Sequence, residues 1–124
     1  MNDPRFTWGE EFIQLREDET IKSKQKVGAL NSKGWAAYLL NDDVFIKRFP
    51  CIEGATYPDM GCNCEFYTEP GFLEIETLAP LTQLPPGSTV SHPENWYLGT
   101  YKNNLDEAAL KEILLPLLNN IPPL

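Results

Sequence analysis

Residues 71–96 read GFLEIETLAPLTQLPPGSTVSHPENW, and this stretch decides the fold that the sequence predicts. In its first half, side chains alternate between two faces, as they do along a β-strand. Leu73, Ile75 and Thr77 predict a face turned to a core, whereas Glu74 and Glu76 share the opposite face. The Leu-Pro-Pro-Gly sequence at 84–87 predicts a turn. Residues 88–98 then predict a second extended segment, which completes a hairpin-like unit.

The rest of the chain repeats this pattern of short apolar runs between turn residues. Extended segments are predicted at residues 11–16, 27–30, 35–40, 44–49, 62–68 and 95–101. Residues 50–61, punctuated by proline and glycine, predict a long irregular loop. A helix is predicted over about 104–118, with Asn104 as its N-cap and Pro116 kinking or ending it. We therefore expect a mainly β fold: one antiparallel β-sandwich domain over residues 1–124, with strands at about 11–101 and one C-terminal helix.

Composition and charge exclude several classes of partner. The 124 residues carry a formal net charge of -8, which argues against nucleic acid and against an anionic membrane surface. No stretch approaches the ~18 apolar residues of a membrane-spanning helix. The N-terminus lacks the basic start and apolar core of a signal peptide, and the 3 cysteines form no even framework. We therefore expect a cytoplasmic protein with no nucleic-acid or membrane partner.

The acidic pair Glu74 and Glu76 is the strongest chemical candidate. Two carboxylates about 7 Å apart on one strand face repel each other, unless a cation or the hydroxyls of a ligand compensate. The pair fits sugar recognition or acid–base chemistry, but also the solvated outer face of an antiparallel strand, which is the more frequent case. Lys47 and Arg48 fall on opposite faces of one predicted strand, so one of them faces the core or a groove and is the candidate counter-charge.

Cys62, Cys64 and His92 are of the residue types that bind metals. However, a Cys-x-Cys pair does not have zinc-site spacing, and the sequence shows no fourth ligand. The hypothesis of a cysteine nucleophile with His92 as its base has still less support, because the sequence shows no third group that would orient the histidine. We therefore expect small buried cysteines, no metal and no cofactor.

Three short motifs, FIKRFP at 45–50, GATYPDMGCNCEFYT at 54–68 and LEIETLAPL at 73–81, carry a family resemblance. In this order and spacing they resemble an uncharacterised branch of the galactose mutarotase-like superfamily, over about residues 3–98. The resemblance implies part of a β-supersandwich whose concave face binds carbohydrate. In aldose 1-epimerases of this superfamily, the glutamate that takes the proton from the anomeric hydroxyl matches Glu76.

The resemblance covers only the C-terminal part of that fold. The catalytic histidines of the family lie in the portion without a counterpart here, and His92 does not match them. A partial sandwich also leaves an apolar face without cover. We therefore expect a homodimer.

Three functions follow, in order of preference. The first is a carbohydrate-binding domain for a sugar or related polyol, non-catalytic alone. Its expected ligand-binding residues are Glu74, Glu76, Lys47, Arg48, Tyr57, Asp59, Glu65 and His92. The second is an aldose 1-epimerase-like isomerase with Glu76 as base and Tyr57, Lys47 or His92 as acid. The third is a self-assembling half-sandwich with a structural role.

Overall fold

The computed structural model describes residues 2–101 and 106–124, which form a mainly β fold with a C-terminal helix, as predicted. The strands are β1 (Phe6–Trp8), β2 (Ile13–Leu15), β3 (Gln25–Ala29), β4 (Trp35–Leu40), β5 (Asp43–Arg48), β6 (Cys64–Glu69), β7 (Phe72–Thr77) and β8 (Asn95–Thr100). The helical segments are α1 (Pro58–Gly61) and α2 (Glu107–Asn120).

The described strands form three antiparallel sheets, with orders β1-β2, β3-β6-β7 and β4-β5-β8. The hairpin predicted within residues 71–98 is wrong, because β7 pairs with β6 while β8 pairs with β5 in another sheet. A two-residue turn with Gly71 at φ 93 joins β6 to β7, with Glu69 opposite Phe72. Such a short closure favours this pairing over one across the long 78–94 connection.

The sheet β4-β5-β8 is the middle layer of the fold. On one of its faces, Val44 and Ile46 pack with Leu110, Leu114 and Leu118 of α2. On the other face, Ala36 and Phe49 pack with Cys64 of the sheet β3-β6-β7, supported by Ala29, Phe66 and Ile75. The period-two alternation over residues 44–49 turns Val44 and Ile46 to one core and Phe49, just after β5, to the other, since successive side chains point to opposite faces.

Helix α2 covers one face of the middle sheet. It begins at Glu107, and the N-cap Asp106 accepts a hydrogen bond of 2.8 Å from the Ala109 amide. The predicted N-cap, Asn104, lies outside the described residues. Pro116 does not end the helix, because it lies on the exposed side together with Glu112, whose carbonyl loses its partner towards solvent. Among the described residues, no helix is long and apolar enough to cross a membrane.

One loop is tied to α2 by hydrogen bonds, and another contains residues with left-handed backbone angles. The Glu107 carboxylate accepts hydrogen bonds from the amides of Glu11 (2.8 Å) and Phe12 (2.9 Å), which ties the β1–β2 connection to the start of α2. In the irregular stretch 50–61, α1 is a single turn in which Asp59 and Met60 have φ of 46° and 61°. These left-handed values are unusual for residues other than glycine.

Candidate ligand-binding cleft

An open cleft of about 430 Å³ lies between the two three-stranded sheets. The middle sheet lines it with Tyr38, Phe45, Lys47 and Trp96, and β7 lines it with Phe72 and Ile75, among others. Strand register explains the grouping, because Phe45 lies opposite Leu98 and Lys47 lies opposite Trp96 across the β5–β8 ladder. These side chains share the face of the sheet that is turned away from α2.

Lys47 lies at the base of this cleft and is only 8% exposed. Its ammonium donates to the Ile75 carbonyl over 3.0 Å and lies 3.2 Å from Oε1 of Glu94. It also lies 5.7 Å from the centre of the Trp96 ring. A buried ammonium is costly unless a counter-charge and hydrogen bonds replace its water. Glu94 and the Ile75 carbonyl supply them, and the ammonium also lies beside the Trp96 ring.

Glu94 collects three donors. Its carboxylate accepts from the Trp96 indole nitrogen over 2.9 Å, from the Thr77 hydroxyl and from Lys47. Burial on its own raises the pKa of Glu94, but the hydrogen bonds from Thr77, Trp96 and Lys47 outweigh burial and hold the pKa below its ordinary value. Glu94 therefore carries its negative charge at neutral pH and orients three side chains around itself.

His92 joins the same network through Thr77. Its Nε2 lies 2.9 Å from the Thr77 hydroxyl oxygen. The donor and acceptor roles in this contact depend on the His92 tautomer, and the same Thr77 hydroxyl also contacts Glu94. Thr77 thus connects His92 to Glu94.

Trp96 is 66% exposed, yet three contacts hold its ring. Glu94 accepts from its indole nitrogen, Lys47 lies over the ring, and Phe45 packs at an interplanar angle of 81° with ring centres 5.8 Å apart. An aromatic side chain held in one orientation at the mouth of a cleft is a preorganised surface for stacking.

The predicted acidic pair lies elsewhere. Glu74 and Glu76 lie on the outer face of the sheet β3-β6-β7, opposite to the side on which Ile75 lines the cleft. The cation beside Glu76 is Lys26, not Lys47 or Arg48. Lys26 lies 3.2 Å from Glu76 and 2.7 Å from Glu65, and hydrogen bonds to these two carboxylates raise the pKa of Lys26 well above its ordinary value.

Three other predicted binding residues also lie away from this network. Arg48 is 7% exposed and donates to the carbonyls of Leu118 and Ile121, both at 3.0 Å, at the end of α2. Tyr57 is buried, and its hydroxyl accepts from the Ile52 amide over 2.8 Å. Asp59 is exposed on the left-handed turn of α1. Of the predicted binding residues, Lys47 and His92 are brought together, around Glu94.

The residues that sequence reasoning missed are Glu94 and Thr77, which together with Trp96 complete the network around Lys47. One signal was available: Glu94 and Trp96 are two residues apart, so an extended segment places them on one face. Lys26 was also missed. It belongs to a series of lysines that follows an acidic run, a pattern typical of a solvated loop, but in the structure Lys26 lies in β3.

The cysteines are free thiols in different environments. Cys64 is fully buried, and burial raises the pKa of its thiol to about 11, whereas Cys51 and Cys62 are partly exposed. No group of three or more His, Cys, Asp or Glu residues that could hold a metal ion is found within residues 2–101 and 106–124.

No known family model, curated protein or solved structure matches this chain. The resemblance to the galactose mutarotase-like superfamily therefore stays a prediction from short motifs, and the chemistry of the cleft is what bears on function.

Proposed function

We propose that this domain binds a sugar or related polyol in the cleft between the sheets, with the Trp96 ring as the stacking surface. One observation carries the proposal: Trp96 is 66% exposed and is nevertheless fixed by Glu94, Lys47 and Phe45. A solvent-exposed ring fixed in advance loses little conformational entropy when a ligand stacks on it. The apolar C–H face of a sugar ring is suited to that contact.

The polar groups beside Trp96 match a ligand that carries several hydroxyls. The Lys47 ammonium has three N–H donors, of which the Ile75 carbonyl and Glu94 take two, so one donor remains for a ligand oxygen. Oε2 of Glu94 accepts from Trp96 and retains a further lone pair for a ligand hydroxyl. A donor and an acceptor next to an aromatic face are the combination that a polyol requires.

A neutral ligand fits the cleft better than a phosphosugar. The Lys47 charge is already balanced by Glu94 at 3.2 Å, and the whole chain has a formal net charge of -8. An added phosphate would therefore meet a site whose positive charge is already balanced. The net negative charge of the protein would repel it as well. Neutral aldoses and alditols are the ligands to test first.

We propose that the domain binds its ligand without catalysing a reaction. The alternative, an aldose 1-epimerase-like isomerase, requires Glu76 as base, and Glu76 contacts Lys26 on the outer face of its sheet. A mutarotation assay separates the two: acceleration of a fresh aldose solution that Glu76→Gln abolishes would favour the isomerase. We expect unchanged optical-rotation kinetics.

The test of binding is a panel of neutral aldoses and alditols at millimolar concentration, read by melting temperature and by tryptophan fluorescence. A ligand selective for the native state raises the melting temperature as its concentration exceeds Kd. We expect Trp96→Ala to abolish the shift. Trp8→Ala is the matched control, because Trp8 is 47% exposed but stacks on Phe6 in the β1–β2 hairpin. A panel without any shift, or a shift that survives Trp96→Ala, would contradict the proposal.

A further inference from the structure

The charged groups of the cleft are confined to one end. Lys47 donates there to the Ile75 carbonyl, and Glu94 joins Lys47 to the Trp96 indole. Among the described residues that line the cleft, Lys47 alone carries a charged side chain. We call this the polar end. A sugar that stacks on Trp96 and hydrogen-bonds to Lys47 and Glu94 occupies it.

The rest of the cleft has an aromatic wall on the middle sheet. Phe45 lies two residues from Lys47 on the same face of β5, and its ring packs edge-on against Trp96 with ring centres 5.8 Å apart. Tyr38 lies directly opposite Phe45 across the β4–β5 ladder, so these two side chains are neighbours on one face. The aromatic surface therefore continues from Trp96 across three strands to Tyr38.

Strand β7 supplies the facing wall with Leu73 and Phe72. These residues lie two and three positions before Ile75, which places them about 7–10 Å from the polar end. Phe72 is 40% exposed, and its ring centre lies 5.9 Å from that of Tyr67, whose hydroxyl donates to Glu69 over 2.9 Å. The Phe72 ring thus has a fixed neighbour and an apolar surface open to solvent. We call the part of the cleft formed by Tyr38, Phe45, Phe72 and Leu73 the apolar end.

The size of the cleft indicates a ligand that reaches both ends. Its volume of about 430 Å³ lies in the range of about 300–1,000 Å³ typical of sites for drug-sized ligands, which are larger than one hexose. A single hexose at the polar end leaves water against the apolar walls. Replacing that water with an apolar group is favourable, so a ligand with one hydroxyl-rich part and one apolar part fits better than a free sugar.

We propose that the ligand of this cleft is an aryl glycoside, with its sugar ring on Trp96 and its aromatic aglycone at the apolar end. An aromatic aglycone suits walls that are largely aromatic, because a flat ring makes stacked or edge-on contacts with them. An aryl glycoside is also neutral, as the balanced charge of Lys47 requires. This inference names the ligand class of the proposed sugar site and rests on that function.

The test is titration calorimetry with matched methyl and phenyl β-glycosides of glucose, galactose and mannose, and with phenol alone. We expect the phenyl glycoside of the recognised sugar to bind about tenfold more tightly than its methyl counterpart, which corresponds to about 1.4 kcal/mol. Its heat-capacity change on binding should also be more negative, because more apolar surface is buried.

Two variants locate the effect. Phe72→Ser removes part of the apolar end, and the 40% exposure of Phe72 makes the substitution compatible with folding, which the melting temperature checks. The preference for phenyl over methyl glycoside should fall about threefold or more in this variant. Leu84→Ser is the matched control, since Leu84 is 49% exposed in the 78–94 connection and lies outside the cleft, and it should keep the wild-type preference.

Equal affinities of the wild type for methyl and phenyl glycosides would overturn this inference and leave the proposed function standing. A phenyl preference that is unchanged in Phe72→Ser would overturn it as well. So would binding of phenol as tight as that of the phenyl glycosides, because the sugar would then contribute nothing. No binding of any glycoside or free sugar would remove the proposed function and, with it, this inference.

Discussion

The indole nitrogen of Trp96 donates a hydrogen bond of 2.9 Å to the same carboxylate of Glu94 that lies 3.2 Å from the Lys47 ammonium. One carboxylate therefore fixes an exposed aromatic ring and also balances a buried cation. The two tasks are linked, because Lys47 itself lies over the Trp96 ring. Removing the Glu94 charge should disturb both stability and the orientation of the ring.

Glu94→Gln should lower the free energy of unfolding by about 2–4 kcal/mol, because it leaves Lys47, whose side chain is 10% exposed, without its counter-charge. Glu76→Gln is the control and should cost less than about 1 kcal/mol, since its partner Lys26 is 46% exposed and retains Glu65. Urea unfolding of the two variants beside the wild type measures the difference. Equal decreases in the free energy of unfolding of the two variants would contradict the expected contribution of the Lys47–Glu94 pair to stability.

Arg48→Met should destabilise the end of helix α2. Arg48 donates to the carbonyls of Leu118, in the last turn of the helix, and of its C-cap Ile121; the Leu118 carbonyl also accepts from the Ile121 amide over 3.3 Å. Losing two hydrogen bonds from a charged donor should reduce the free energy of unfolding by about 2–3 kcal/mol, measured in urea. Arg16→Met, at an exposed position, should change it by less than about 0.5 kcal/mol. A similar decrease in the free energy of unfolding for both substitutions would contradict a stabilising role of Arg48 at the end of α2.

Acid should destabilise the attachment of the β1–β2 connection to α2. Amides of Glu11 and Phe12 donate to the Glu107 carboxylate and hold the pKa of Glu107 below its ordinary value of 4.5. A depressed folded-state pKa contributes stability that is present above the unfolded pKa and is lost as pH falls through the folded pKa. Between about pH 6 and about pH 3, the melting temperature of the wild type should therefore fall more than that of Glu107→Gln. If the melting temperatures of the two proteins fell equally with pH, the contribution of the Glu107 carboxylate to stability would be contradicted.

The three thiols should react at different stages of unfolding. Burial raises the pKa of Cys64 to about 11, so at about pH 8 it is protonated as well as inaccessible. Cys51 and Cys62 are partly exposed and should be alkylated in the native protein. Peptide mass spectrometry after brief alkylation reads each position, and labelling in denaturant gives the full extent for all three. Labelling of Cys64 at the same rate as Cys62 in the native protein would refute the prediction.

Local pattern was sufficient for much of the fold. The alternation at residues 73–77 correctly predicted a strand with Ile75 turned to the core, because a strand has a side-chain period of two whatever its partner. The C-terminal helix was predicted from apolar spacing and acidic residues near its start, which are also local properties. The assignment of Lys47 and Arg48 to opposite faces likewise required only the strand period.

The sequence by itself thus determined most of the extended segments, the apolar faces and the place of the final helix, but not β1, and residues 88–94 lie outside the strands. Only the tertiary structure decided that β7 and β8 belong to different sheets, and that Lys47 pairs with Glu94 while Lys26 pairs with Glu76. Strand partners and ion pairs join residues far apart in the chain, and several pairings satisfy the same local pattern. The choice among them depends on loop closure and on packing two sheets and a helix together. Those energies exist only once the chain is folded.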